Sequence, residues 1–180
     1  MAVHRWEGRH NATTMGSNLV TGLSSMLDAY PGSFYSAGFQ GGVSMTVNLI
    51  CLEPEEAEKI ALRLLATDPG SEFFRVFDRN SARSEACVLI ESAGKYVGFS
   101  TVTSDGSSCE IYRFFISPEN RNMGLGTIAA RKLEELLKAD GYVSCFLQID
   151  NEQKFAFWSN AIGPLIIGNE TSNMYYKDYK

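Results

Sequence analysis

Arg121-x-x-Gly124-x-Gly126 is the stretch whose residue types and spacing are best suited to chemistry. The apolar run Glu110 to Ile116 and the pair Ser117-Pro118 precede it, and an amphipathic segment follows. A strand that turns through glycines into a helix makes an anion-binding corner. The glycines let backbone N–H groups approach a ligand closely, and the helix aims its positive end at the same place. Arg121 adds a charge-assisted hydrogen bond. The donors would be the N–H groups of Met123, Gly124, Leu125, Gly126 and Thr127, with Asn122 between them and Arg121.

Two familiar phosphate motifs fit poorly. A P-loop needs four residues between its glycines followed by Lys-Ser or Lys-Thr, and only Thr127 could be forced into that pattern. Gly124-x-Gly126-x-x-Ala129 does match the dinucleotide fingerprint, with Asp150 at the distance of a ribose-binding acid. In that fold, however, the strand runs almost directly into the first glycine, whereas Ser117 to Met123 intervene here. Too little chain remains after Asp150 for the further strand–helix units.

The elements that must position this corner are legible from periodicity. Thr46 to Leu52 reads as a strand. A helix opens at Pro54 with Glu55, Glu56 and Glu58 in its first turns, and Ile60, Ala61, Leu64 and Leu65 form its apolar face. A shorter helix is predicted over Glu72 to Asp78, with Phe73, Phe74 and Phe77 on one side. Three strands follow as a meander, Ala86 to Glu91, Tyr96 to Thr103 and Cys109 to Ile116, joined by hairpin turns at Ala93-Gly94 and Asp105-Gly106. Leu125, Ile128, Ala129, Leu133, Leu136 and Leu137 recur at helical spacing up to Asp140-Gly141. Val143 to Ile149 reads as a buried strand, Glu152 to Asn160 as a helix, and Leu165 to Ile167 and Met174 to Tyr176 as closing strands. The order β-α-α-β-β-β-α-β-α-β-β is that of an α/β domain with a mixed sheet.

A chain of 180 residues, 44% hydrophobic, has room for one well-buried core. Its net charge of −5 and pI of about 5.1 argue against a nucleic-acid binder, which would carry a basic face. Cys51, Cys87, Cys109 and Cys145 show no C-x-x-C spacing and sit in or beside apolar runs. They read as buried free thiols, which points to a reducing compartment. The only histidines, His4 and His10, offer no triad or metal site. No apolar run is long enough to span a bilayer, and the charged-then-apolar order of a secretory leader is missing, so a soluble cytoplasmic protein is expected. Residues 1–45 read as an extension to a domain over 46–180, with a helical rhythm only at Leu19 to Tyr30. Phe34, Tyr35 and Phe39 would let that arm pack over the site or on a partner subunit, which leaves a homodimer open.

Taken with the flanking strand, the helix and the element order, Arg121-x-x-Gly124-x-Gly126 resembles the acyl-CoA pyrophosphate loop of the GNAT acetyltransferase superfamily. The resemblance covers roughly residues 46–180. It implies acetyl-CoA as cosubstrate, with the pyrophosphate on the loop Arg121 to Thr127. It also implies that the fourth strand (Cys109 to Ile116) and the fifth (Val143 to Ile149) splay apart. The pantetheine arm would lie between them, paired to the backbone of Phe114, Phe115 and Ile116. The N–H of Ile116 would face the thioester carbonyl as an oxyanion donor. Asn151 falls where the family often has a cofactor contact, and it also suits a helix N-cap.

An attacking amine must be neutral, against a free pKa near ~10. Glu110 stands where the family commonly carries the proton-accepting Glu, and a period of two puts it on one face with Tyr112 and Phe114. The position where the family usually has an acidic Tyr is Trp158. That leaves Tyr112, Tyr175, Tyr176 or solvent to protonate the leaving thiolate. The resemblance thus implies an N-acetyltransferase that moves acetyl to a primary amine, a small molecule slightly favoured, by direct attack in a ternary complex. A protein N-terminal or lysine acetyltransferase, with an open groove beside Phe73 to Phe77, is one alternative. A CoA-binding regulatory module with weak catalysis is another.

Overall fold

The computed structural model describes residues 46–71, 75–78 and 83–179. The helical rhythm at Leu19 to Tyr30, the arm aromatics and Phe73 and Phe74 lie outside the described residues. The observed elements are β1 (Val47–Cys51), α1 (Pro54–Leu65), β2 (Ser84–Ser92), β3 (Lys95–Asp105), β4 (Ser108–Ile116), α2 (Leu125–Ala139), β5 (Ser144–Gln148), α3 (Glu152–Ile162), β6 (Ile166–Asn169) and β7 (Met174–Asp178). They build one mixed sheet of order β1-β2-β3-β4-β5-β7-β6, in which only β4 and β5 run parallel. This is the expected α/β architecture. The short helix predicted over Glu72 to Asp78 is not found over Arg75–Asp78, which bend instead. There Val76 is buried under the sheet and its carbonyl accepts the Thr101 hydroxyl at 2.8 Å. Between α1 and this bend the described residues form a 3-10 turn at Pro69–Ser71.

Each helix forms for a local reason and covers one face. Pro54 sits in the first turn of α1 with Glu55 and Glu56 at the positive end, and Arg63 lies in the last turn. The small side chains of Ala57 and Ala61 let α1 lie close on Cys87, Leu89 and Phe99. On the opposite face, Leu133 and Leu137 of α2 and Trp158, Ala161 and Ile162 of α3 pack on Cys109, Ile111, Cys145 and Leu147. The β2–β3 turn puts Ala93 and Gly94 at φ 50° and 74°, the left-handed pair that a two-residue hairpin requires.

The sheet is not continuous along β4. β4 pairs with β5 only at Ser108↔Ser144, Cys109↔Cys145 and Glu110↔Phe146. Beyond Glu110 the two strands part, so the expected splay is present. β4 also carries one residue more than β3: Ile111 faces Val102 and Arg113 faces Thr101, leaving Tyr112 as a bulge. A bulge bends its strand and breaks the period of two. Cys109 and Ile111 point to the α2/α3 face before it, whereas Phe114 and Ile116 do so after it, and Phe115 packs on the α1 face. The expectation that Glu110 shares a face with Phe114 is thereby corrected: Glu110 lies on the α1 face, and the bulge is the reason.

Where the strands part, three rings fill the space on the α2/α3 side. Phe114 meets Trp158 at 5.2 Å and Phe157 at 5.7 Å, and Phe157 meets Trp158 at 5.1 Å. Pairs of this kind contribute roughly 0.5–1.5 kcal/mol each beyond the area they bury. On the other flank of β4, Gly98 of β3 faces Ile116, and a Cβ there would land on the Phe115 carbonyl oxygen. Gly98→Ala is therefore expected to destabilise the fold by about 1–3 kcal/mol, read as a fall in thermal midpoint. An unchanged midpoint would show that β3 and β4 can shift apart at no cost.

Candidate active site

The glycine corner forms as the sequence suggests. Ser117 is fully buried, and its N–H donates to the Val97 carbonyl at 2.9 Å. Its hydroxyl accepts Asn120 Nδ2 at 2.8 Å, which anchors the 3-10 turn Pro118–Asn120. Asn122 and Gly124 then take positive φ, 61° and 80°, and Gly124 becomes the N-cap of α2. That cap has no side-chain acceptor, and the first turn of α2 carries no acidic residue. The N–H groups of Leu125, Gly126 and Thr127 have no intrahelical acceptor in a first turn. Met123 is exposed beside them. A Cβ on Gly124 would meet nothing within 4 Å, and one on Gly126 would touch Phe157 at 3.4 Å and Ile116 at 3.5 Å.

Arg121 does not point freely from this corner. Its Nε donates to the Ile116 carbonyl at 2.8 Å, an Nη donates to Asp68 Oδ2, and the guanidinium lies 5.4 Å from the Phe115 ring centre. It ties the end of β4 to the turn after α1, with its side chain still partly exposed. The Arg121 guanidinium beside Asp68 holds that carboxyl below the usual carboxylate range.

The open edge of β4 follows from the same hydrogen bonds. Ser117 bonds Val97, so the next residue back, Ile116 opposite Gly98, belongs to a non-hydrogen-bonded pair. By that alternation Phe114 and Ile116 turn their backbone groups toward the gap, and Phe115 turns its own toward Phe99 of β3. Of the three residues expected to pair with a bound arm, two face the gap and Phe115 does not. The Ile116 carbonyl is taken by Arg121; its N–H faces the gap.

On the α1 face, Glu110 ends the part of β4 that pairs with β5. Its carboxylate accepts Arg83 Nη1 at 2.8 Å and is 15% exposed; Arg83, 49% exposed, also lies 3.8 Å from Asp105. Nothing in the sequence ties Arg83 to Glu110, since the pair is 27 residues apart. Tyr112 on the bulge is 38% exposed, with the Arg113 guanidinium 4.6 Å from its ring centre and an Arg113 Nη donating to its hydroxyl at 3.3 Å. Tyr176 is on this face beside Phe146, whereas Tyr175 is on the other, its ring tilted against that of Phe155 at 5.3 Å. The three candidate tyrosines therefore do not share one site. Trp158, 6% exposed, is a core residue under Phe114.

Asn151 caps α3: its Oδ1 accepts Lys154 N–H at 2.9 Å and its Nδ2 donates to Asp150 at 2.8 Å. A cavity of about 440 Å³ beyond this cap, lined by Phe155, Ile167 and Tyr175 among others, does not reach the glycine corner. The cysteines are free, and burial pushes the Cys51 and Cys145 thiols up to about 11 and Cys87 up to about 12. Burial raises Cys109 as well. Thiols held so far above neutral pH are poor nucleophiles. Among the described residues no helix is long and apolar enough to cross a membrane.

Residues 53–163 match the Acetyltransferase (GNAT) family. No protein of curated function matches the sequence. Among solved structures, an acetyltransferase from Thermus thermophilus aligns with a TM-score of 0.56 at 14% identity, over 74% of this chain and 97% of the other. The PaiA N-acetyltransferase of Thermoplasma acidophilum, solved with coenzyme A, gives 0.53 at 16% identity over 75% and 100%. A GNAT family acetyltransferase of Brucella melitensis, solved with acetyl-CoA, gives 0.54 at 13% identity over 75% and 89%. At these identities the likeness is one of fold.

The Asp68–Arg121 pair yields a pH test. A carboxyl whose folded pKa lies below its unfolded value of about 3.9 adds stability that is present above that pH and lost as pH falls through the folded value. Asp68→Asn is expected to melt slightly below the parent at pH 6, with the gap closing only as pH falls below the ordinary carboxylate range, in thermal unfolding followed from pH 6 into acid. A gap that persists in acid would show that the charge of Asp68 is not what the substitution removes, since Asn can still accept the Gly70 N–H that Asp68 accepts at 3.1 Å.

Proposed function

The chain belongs to the GNAT acetyltransferase family, and from that premise we propose that it transfers acetyl from acetyl-CoA to a primary amine by direct attack in a ternary complex. One observation carries this reading. β4 leaves β5 after Glu110, and its free edge at Phe114 and Ile116 leads from that carboxylate to the glycine corner. The residues of the corner fit the cosubstrate: Gly124 is open, Gly126 leaves bare backbone against Phe157 and Ile116, and α2 starts with uncapped N–H groups.

Acetyl-CoA supplies the activated thioester. The chain supplies the rest. The N–H groups of Met123 to Thr127, in the loop with Asn122, would hold the pyrophosphate, with Arg121 able to add charge from the Asp68 side. Phe114 and Ile116 would hold the pantetheine arm through their gap-facing backbone, as an added strand is held. The Ile116 N–H would donate to the carbonyl oxygen as charge builds on it. Asn151 serves as the cap of α3 and keeps one amide hydrogen and one carbonyl lone pair with which it would contact the arm.

Glu110 would take the amine proton from the α1 face, directly or through water. The Arg83 guanidinium now occupies the place where a cationic amine would approach. Tyr112, at the mouth of the gap, is the tyrosine best placed to return a proton to the thiolate. Buried thiols with raised pKa values support direct attack over a covalent relay.

Release of CoA from acetyl-CoA, measured against polyamines, aminoglycosides, amino acids, arylalkylamines and peptides, tests the proposal. Turnover of at least one amine is expected, and tight acetyl-CoA binding without turnover on any of them would instead favour a regulatory module. Glu110→Gln is expected to lower kcat/KM by about 10²–10⁴ with acetyl-CoA affinity kept. Gly126→Ala, whose Cβ makes only ordinary contacts in the free chain, is expected to melt normally yet bind acetyl-CoA at least about tenfold more weakly, since backbone approach to the phosphates is lost. Retained affinity in that variant would move the cosubstrate off the loop.

A further inference from the structure

Register relations carry one row of side chains across the sheet on the α1 face. Glu85 faces Thr103, Thr103 faces Glu110, Glu110 faces Phe146, and Phe146 faces Tyr176. All five lie opposite the α2/α3 core, because their strand neighbours Val102, Cys109, Ile111, Cys145, Leu147 and Tyr175 pack into it and Ala86 packs on Leu136 of α2. The row is polar and charged up to Glu110, and aromatic beyond it.

The aromatic half has unspent surface. The rings of Phe146 and Tyr176 lie 6.2 Å apart, both are only partly buried, and neither belongs to a core cluster of the described residues. At a strand spacing of about 4.8 Å, Phe146 is one step and Tyr176 two steps from the Glu110 backbone. Beside the carboxylate, the half-exposed Arg83 guanidinium marks a place where this face accepts a cation.

We propose that the acceptor is a primary amine with a flat, apolar body on a short spacer, an arylalkylamine in chemical class. Its nitrogen takes the position of the Arg83 guanidinium at Glu110, and its ring lies on Phe146 and Tyr176. Charge complementarity with Glu110 and the continuity of the row select this occupant over a polycation, which would leave the ring pair uncovered. The proposal rests on the reading of Glu110 as the residue that faces the acceptor. The competing explanation is that Phe146 and Tyr176 only stabilise the sheet as a cross-strand pair; it forecasts no effect on substrate choice.

The test uses the full chain with acetyl-CoA and two probes, phenethylamine and spermidine. CoA release gives kcat/KM for each, and calorimetry on the CoA-saturated protein gives phenethylamine binding. The expected result is a preference for phenethylamine of at least about tenfold, the scale a hydrophobic subsite supplies. Phe146→Ala and Tyr176→Leu should each shrink that ratio by about tenfold, mainly through KM for phenethylamine. A preference for spermidine, or an unchanged ratio in both folded variants, overturns the proposal. If the variants do not fold, the ratio of the parent chain decides alone. If neither amine turns over, the full amine panel decides the acetyl transfer proposed above, and the calorimetry still decides here. Phenethylamine binding weakened by either substitution supports the subsite, and no binding removes it.

Discussion

One residue in excess, Tyr112, sets the architecture of the site. Opposite Thr101 and Val102, β4 has three residues where β3 has two, and the extra one turns the strand. β4 can then neither keep its pairing with β5 nor keep its side chains in phase. The broken pairing opens a backbone edge toward the glycine corner. The phase change puts Glu110 on the α1 face and Phe114 and Ile116 on the other. A ligand in the gap would therefore have a carboxylate on one side of the sheet and a helix N-terminus on the other. A regular strand would have placed both on the same side or closed the gap.

Opening a sheet exposes backbone and apolar surface, and the structure offsets this locally. Phe114, Phe157 and Trp158 pack together over the α2/α3 side of the opening. That explains why Trp158 is buried at a position where a tyrosine would be expected to do chemistry. At the far end of β4, Arg121 takes up the Ile116 carbonyl that pairing would have satisfied and secures it to Asp68. Arg121 is thus a structural clamp in the free chain, and any contact it makes with a phosphate is added to that role.

Much of this was legible in the sequence. Alternation and turn residues located the strands, Pro54 and Gly124 marked helix starts, and the separation between the apolar strand and the glycines set this corner apart from a dinucleotide fold. The bulge was also recorded there: the apolar positions run Cys109, Ile111 and then Phe114, Ile116, a change of phase that a strict period of two passes over. The pairs Arg83–Glu110 and Asp68–Arg121 could not be read, because their partners are 27 and 53 residues apart and joined only by the sheet. The helix predicted over Glu72 to Asp78 failed at Arg75–Asp78, where burial of Val76 and its bond to Thr101 outweighed the aromatic spacing.

Residue-resolved amide exchange, with and without acetyl-CoA, reads the open edge of β4 and its occupation by the cosubstrate. In the free chain the N–H groups of Phe114 and Ile116 face the gap, while that of Phe115 is paired with β3. Rapid exchange is expected at Phe114 and Ile116, slowing sharply when acetyl-CoA binds, with Phe115 slow in both states. Protection of Phe114 and Ile116 already present in the free chain, or no change at either on binding, would contradict it.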